Sequence, residues 1–153
     1  MSNKYISNSI EETKILGEKL AQVLKKGDVV VLNGDLGAGK TALVSGFARF
    51  YGKETDVSSP TFTIINEIVL KEDLSLFHFD VYRLASEDEF YAIGGEEYFD
   101  KGISFMEWGD LIKPALPKDY LEIRIEKDEN DENVRIFTFI PHGDKYIELK
   151  IFN

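Results

Sequence analysis

The sequence predicts an α/β fold: a three-layer sandwich with a mixed central sheet and a C-terminal β-hairpin. Three observations predict it. The β-branched run Val29-Val30-Val31-Leu32 leads through a glycine-rich turn into a helical stretch over 41–51, the strand–loop–helix order of an α/β unit. Two more short apolar runs, 74–80 and 102–108, have strand length and flank a capped helical segment. Residues 121–125 and 134–139 then alternate with period two about an acidic loop, which reads as a hairpin.

The elements follow in order. Ser9 with Glu12 is a capping box that opens a helix to about Leu24, with Leu16, Leu20, Val23 and Leu24 on one stripe and Lys25-Lys26-Gly27 closing it. The strand over 28–32 is apolar from Val29 to Leu32, as a strand buried on both faces must be. The helix over 41–51 carries Leu43, Val44, Phe47, Ala48 and Phe50 for a buried face, and Gly52 stands where a helix C-terminus wants glycine. Residues 53–59 read as a loop that Pro60 ends. Residues 61–68 and 74–80 form an antiparallel pair about a turn at 71–73. Ser86 with Glu89 caps a short helix that stops at Gly94-Gly95. Strand 102–108 carries polar residues at its C-terminal end. The loop over 127–133 reads as a solvated turn, and Pro141-His142-Gly143 as another. There is no internal repeat and no low-complexity linker.

At 153 residues the chain is read as one domain, 1–153, with enough length for a real core and an ordinary hydrophobic content of 43%. It has no cysteine, which excludes disulfides, a thiol nucleophile and a thiolate metal site. No apolar segment follows a basic start, so no signal peptide is expected, and no run approaches the roughly 18 apolar residues that span a membrane. The net charge of −10 suits a soluble acidic protein or one with a basic protein partner. It argues against strong RNA or DNA binding by this chain alone, because nucleic-acid affinity rests on lysine and arginine at phosphates.

The chemistry is carried by Gly34-Asp35-Leu36-Gly37-Ala38-Gly39-Lys40-Thr41, which fits the G-x-x-x-x-G-K-[ST] phosphate loop of nucleoside triphosphatases. The glycines let the backbone curl and press N–H groups on phosphate oxygens. Lys40 reaches the β- and γ-phosphates as a point charge, and the Thr41 hydroxyl takes a position on Mg²⁺. The following helix adds its N-terminal N–H groups and dipole. Such a site needs a further carboxylate at the end of a neighbouring strand. Asp80 and Glu107 each end a predicted strand and are both candidates; either could instead be a helix cap or a surface ion pair.

Other residues say less. Ser59 or Thr61 lies where nucleotide-sensing switches often sit, though Pro60 also explains the segment as a loop end. His78 reads as a packed strand histidine, and two separate histidines make no metal site. Trp108 stacks on a base or partner, or simply packs. A small GTPase is excluded, since the only Asn-Lys, at 3–4, is not followed by the aspartate that reads guanine. A small-molecule kinase is disfavoured because Arg49, Arg83, Arg124 and Arg135 are scattered, with no lid cluster. A compact ATPase remains, with a partner able to complete the site in trans. Its rival is a nucleotide-gated binding module whose hydrolysis is incidental.

The phosphate loop, Ser59-Pro60-Thr61-Phe62-Thr63, His78-Phe79-Asp80-Val81-Tyr82-Arg83-Leu84 and Glu107-Trp108 occur in order and at the expected spacing. With them the chain closely resembles the bacterial TsaE (YjeE) family, from Glu11-Glu12-Thr13 and Leu16-Gly17 to the C-terminal hairpin. The resemblance implies a cytoplasmic ATPase required for threonylcarbamoyladenosine in tRNA, acting with the TsaD and TsaB proteins and using ATP and Mg²⁺. On that resemblance TsaD is the partner transferase, which places the threonylcarbamoyl group on the adenosine beside the anticodon. The resemblance implies Lys40, Asp80 and Glu107 as catalytic groups and Thr41, Glu107 and, directly or through water, Asp80 at the metal. It places Asp35, Leu36, Gly37, Ala38, Gly39, Lys40, Thr41 and Ala42 around the phosphates, and Ile10 and Thr13 near the adenine. Two positions depart from the family pattern. Ala42 replaces a frequent threonine, which removes a hydroxyl contact to the α-phosphate but keeps the N–H. Gly109-Asp110 follows Trp108 where proline is common.

Overall fold

The computed structural model describes residues 3–34, 39–57, 65–80, 87–107 and 109–147. Its strands are β1 (Lys4–Ser7), β2 (Val29–Gly34), β3 (Ile65–Lys71), β4 (Leu74–Asp80), β5 (Ile103–Glu107), β6 (Tyr120–Lys127) and β7 (Arg135–His142). They form one mixed sheet in the order β1-β7-β6-β2-β5-β4-β3. The parallel strands β4, β5, β2 and β6 make its centre. Antiparallel β3 closes one side and the antiparallel pair β7–β1 the other. The C-terminal hairpin is therefore part of the main sheet.

Helices α1 (Ile10–Val23), α2 (Lys40–Phe50) and α3 (Glu87–Ala92) are joined by 3-10 turns at Glu54–Asp56, Gly95–Asp100 and Gly109–Ala115. Strand alternation divides the core into two halves. Val30 and Leu32 of β2 pack with Leu16 and Leu20 of α1 and with Leu43 and Phe47 of α2. Val29 and Val31 pack on the other face with Phe79, Phe90, Phe99, Met106 and Ile112. Helical layers on both faces make the three-layer α/β sandwich that the sequence predicts. No described helix is long and apolar enough to cross a membrane.

The capping box forms as expected. Ser9 Oγ accepts from Glu12 N at 3.1 Å, and the Glu12 carboxylate reaches back to Asn8 N at 3.3 and 3.4 Å. α1 and α2 then approach so closely that only glycine fits. A Cβ on Gly17 would stand 2.3 Å from Leu43 O, and one on Gly46 would stand 2.0 Å from Lys14 O.

Three boundaries differ from expectation. β1 has no sequence signal strong enough to announce it. It forms because β7 offers an unpaired edge, and Lys4 to Ser7 satisfy it opposite Thr138 to Arg135. β3 is described from Ile65 and continues to Lys71, with the turn reduced to Glu72 and Asp73, where Asp73 has φ 62°. His142 is not in a turn: it ends β7 opposite Tyr120, and the chain turns at Gly143, φ 81°. Pro141 is tolerated there because β1 covers only Arg135 to Thr138, so its missing N–H takes no bond from β1.

Candidate functional site

The site lies where β2, β4 and β5 end together. β2 ends at Gly34, the first glycine of the motif, and Gly39 caps α2 in a left-handed conformation, φ 111°. A Cβ there would meet nothing closer than 3.8 Å, so the demand for glycine is one of backbone conformation. The first N–H groups of α2 have no partners within the helix and face the same end as its positive dipole, a suitable seat for an anion.

Lys40, the first residue of α2, is only 5% exposed. Its ammonium donates to Gly34 O at 2.8 Å and lies 3.3 Å from Glu107 Oε1. Glu107 is the last residue of β5, and its other oxygen, Oε2, lies 2.6 Å from His78 Nε2. His78 sits on β4 and is 1% exposed. The parallel register pairs Asp80 with Glu107, so both predicted acids end adjacent strands. Burial pushes the Glu107 carboxyl up. The hydrogen bond and charge of His78, with the charge of Lys40, outweigh burial and hold it below the ordinary carboxylate range. Glu107 is thus an ionised carboxylate at the foot of a cleft.

That cleft has a volume of about 360 Å³. Lys40, Thr41, Ala42 and Gly39 form one side, and Glu107 the inner end. Ser9, Ile10 and Thr13 from the start of α1 form a second wall. Ile10 is 71% exposed, an apolar surface at the rim. Thr13 is buried, and its hydroxyl is already engaged with Ser7 Oγ at 2.7 Å and Ser9 O at 3.3 Å. It therefore contributes its methyl group, which would lie 3.9 Å from a Cβ on Gly39. The cleft brings together seven of the predicted residues: Ile10, Thr13, Gly39, Lys40, Thr41, Ala42 and Glu107. Asp35, Leu36, Gly37, Ala38, Thr61 and Trp108 lie outside the described residues, as does Ser59, and for Asp80 only the backbone position is described.

The third wall was not anticipated. Glu132, Asn133 and Arg135, from the hairpin loop and the start of β7, line the cleft. The loop over 127–133 is thus more than a solvated turn, and Arg135 is an arginine at the site. The signal for it is non-local. Arg135 pairs with Ser7 of β1, which leads directly into the Ser9 cap, and β1 was invisible in the sequence.

A depression of about 420 Å³ between the ends of β2 and β6 is larger but shares only Gly34 with the phosphate motif. Nearby Glu122 is saturated by Asn33 Nδ2, Arg124 Nε and His142 Nε2, at 3.2, 2.8 and 2.7 Å. The smaller cleft has the helix N-terminus and the buried cation–carboxylate pair, which makes it the candidate site. Its donors, a glutamate carboxylate and a threonine hydroxyl, are the hard oxygens that Mg²⁺ takes alongside phosphates and water. Among the described residues no group of three or more His, Cys, Asp or Glu gathers that would cage a metal without a ligand.

Comparisons with known proteins bear on the family and the fold. The family model for threonylcarbamoyl adenosine biosynthesis protein TsaE matches residues 7–136. A tRNA threonylcarbamoyladenosine biosynthesis protein TsaE from Bacillus subtilis is 45% identical over 139 residues, 89% of this chain and 84% of that protein. One of the same name from Treponema pallidum is 39% identical over 130 residues, 83% of this chain and 95% of that protein. The crystal structure of Bacillus subtilis YdiB superposes with a TM-score of 0.72 at 36% identity, covering 94% of this chain and 87% of that one.

Proposed function

The chain belongs to the TsaE family of threonylcarbamoyladenosine biosynthesis, and from that premise we propose that it is a cytoplasmic Mg²⁺-dependent ATPase. Its cycle of ATP binding and hydrolysis would serve tRNA modification by TsaD and TsaB. One observation carries the reading: Lys40 at the N-terminus of α2 pairs at 3.3 Å with the buried, ionised Glu107 inside a cleft of about 360 Å³.

The residues divide the work by charge. The N–H groups at the start of α2 and the loop from Asp35 to Ala38 receive the phosphates. Lys40 is held at rest by Gly34 O and Glu107 Oε1. An incoming triphosphate outcompetes both oxygens, so Lys40 transfers to the β- and γ-phosphates and leaves Glu107 Oε1 open. Thr41 Oγ1 and Glu107 Oε1 would hold Mg²⁺, which when bound neutralises phosphate charge in the transition state. Asp80, beside Glu107 in register, is assigned to water: it orients the attacking molecule or one in the metal's shell. Ile10 and the Thr13 methyl give the adenine an apolar seat. Thr61 and Trp108 are retained as nucleotide contacts.

The test is ATP hydrolysis with and without TsaD and TsaB. Lys40→Ala is expected to reduce turnover at least a hundredfold, because the γ-phosphate loses its cation in a poorly solvated site. Near-normal turnover in a folded variant would remove Lys40 from the chemistry. Stimulation of the wild type by the partner pair supports an incomplete site finished in trans. Tight ATP binding with a slow rate that partners leave unchanged would favour a nucleotide-gated binding module.

A further inference from the structure

We propose that His78 is a positioning residue for the metal-binding carboxylate: its Nε2–H pins Glu107 Oε2 so that Oε1 alone is presented to the cleft. The inference rests on the reading of Glu107 as a Mg²⁺ ligand.

His78 is the deepest titratable group near the site, and no step above uses it. It shares its strand face with Leu76, which packs beneath α1 and α2, and at 1% exposure the ring has no open side to turn into. Its partner is an ionised carboxylate, which only accepts hydrogen bonds, so Nε2 carries the proton. The 2.6 Å contact is that of a strong, charge-assisted bond.

The two oxygens of Glu107 are thereby made unequal. Oε2 points at a group that cannot leave, because His78 has no path to solvent. Oε1 faces Lys40 at 3.3 Å, a looser contact with a side chain that has a competing use in binding phosphate. Without His78, Oε2 would also be open to Lys40, and a carboxylate gripping the ammonium with both oxygens would hold back both Lys40 and the metal position. A buried carboxylate relieved of its donor would also turn within its pocket. Outer groups that orient a metal ligand typically contribute 10- to 100-fold in metal affinity. Nothing in this argument requires His78 to change protonation.

The experiment compares His78→Leu, which fills space without a donor, with His78→Gln, whose amide N–H reaches to the position of Nε2. Two readouts are taken: the half-saturating Mg²⁺ concentration for ATP hydrolysis, and Mn²⁺ binding to the protein–ADP complex by electron paramagnetic resonance. The expected result is a shift of about 10- to 100-fold in both for His78→Leu, and substantial recovery in His78→Gln. Should His78→Leu not fold, His78→Asn replaces it, since its amide is too short to reach Glu107. Wild-type metal affinity in the donorless variant, or equal shifts in both variants, overturns the inference. Glu107→Ala is run in parallel. Unchanged Mn²⁺ binding there would remove the metal reading itself, whereas loss there with none in His78→Leu defeats only the role of His78.

Discussion

Arg135 shows how a single side chain changes the account of the site. In the sequence it is one of a few scattered arginines; in the structure it stands at the cleft, its guanidinium anchored to the carbonyls of Glu132 and Val134. On the proposed function, a cation so placed would meet the nucleotide in the ground state. Arg135→Ala is expected to raise the KM for ATP about tenfold, the value of one charge-assisted hydrogen bond, with kcat within about twofold. Steady-state kinetics decide this. A fall in kcat at constant KM would instead make Arg135 a transition-state cation supplied by the chain itself. Thr13 shows the reverse: Ser7 and Ser9 already engage its hydroxyl, so only its methyl group is left for the cleft.

At the scale of elements, the cleft is as wide as the α1–α2 crossing allows. The backbones meet at Gly17 and Gly46, where a Cβ would stand 2.3 Å and 2.0 Å from main-chain oxygens that cannot retreat without moving a helix. Arg49 of α2 reinforces the crossing through Glu11 and Glu18 of α1, at 2.8 and 3.0 Å. Gly46→Ala must push the helices apart. It is expected to cost about 3 kcal/mol, at the upper end for overpacking, and to weaken nucleotide binding because Ile10 and Thr13 move with α1. Denaturant unfolding and ATP titration of the same variant check both effects. An unchanged midpoint would mean that the crossing relaxes more easily than its contacts imply. The C-terminal hairpin is the other wall-builder, joined to the sheet through β6 and to the N-terminal strand through β7.

For the whole molecule, the binding of Glu122 ties three strands together, since its donors come from β2, β6 and β7. Burial raises its carboxyl; the bonds from His142, Arg124 and Asn33 outweigh burial and leave it lowered, in the same direction as Glu107. The unfolded chain therefore takes up these protons first as pH falls. The stability they contribute is complete above the unfolded carboxylate value, about 4.3, and is lost as pH drops through the lower folded values. Denaturant unfolding between pH 7 and pH 3 should show a falling acid arm that is shallower in Glu122→Gln, with that variant also about 1–3 kcal/mol less stable at pH 7. An acid arm of identical slope would mean that Glu122 titrates alike in both states. The base of the sheet has a comparable anchor, where Tyr146 donates to the buried Asp28 at 2.9 Å and binds the chain after β7 back to the start of β2.

The sequence by itself determined the glycine-rich motif between strand and helix, the helices around it and the alternation of the core strands. These follow from local rules: glycine where the backbone must turn left-handed, a capping pair three residues apart, apolar residues at the helical or strand period. It also marked Lys40, Thr41 and Glu107, because a motif and a strand end can be read along the chain. Only the tertiary structure decided what sits beside them. The pairing of His78 with Glu107 depends on β4 lying next to β5, and the arrival of Glu132, Asn133 and Arg135 depends on β7 being paired by β1. Strand order and edge pairing join residues more than a hundred positions apart, such as Ser7 and Arg135. No local period encodes such contacts, because the free energy that selects them belongs to the assembled sheet.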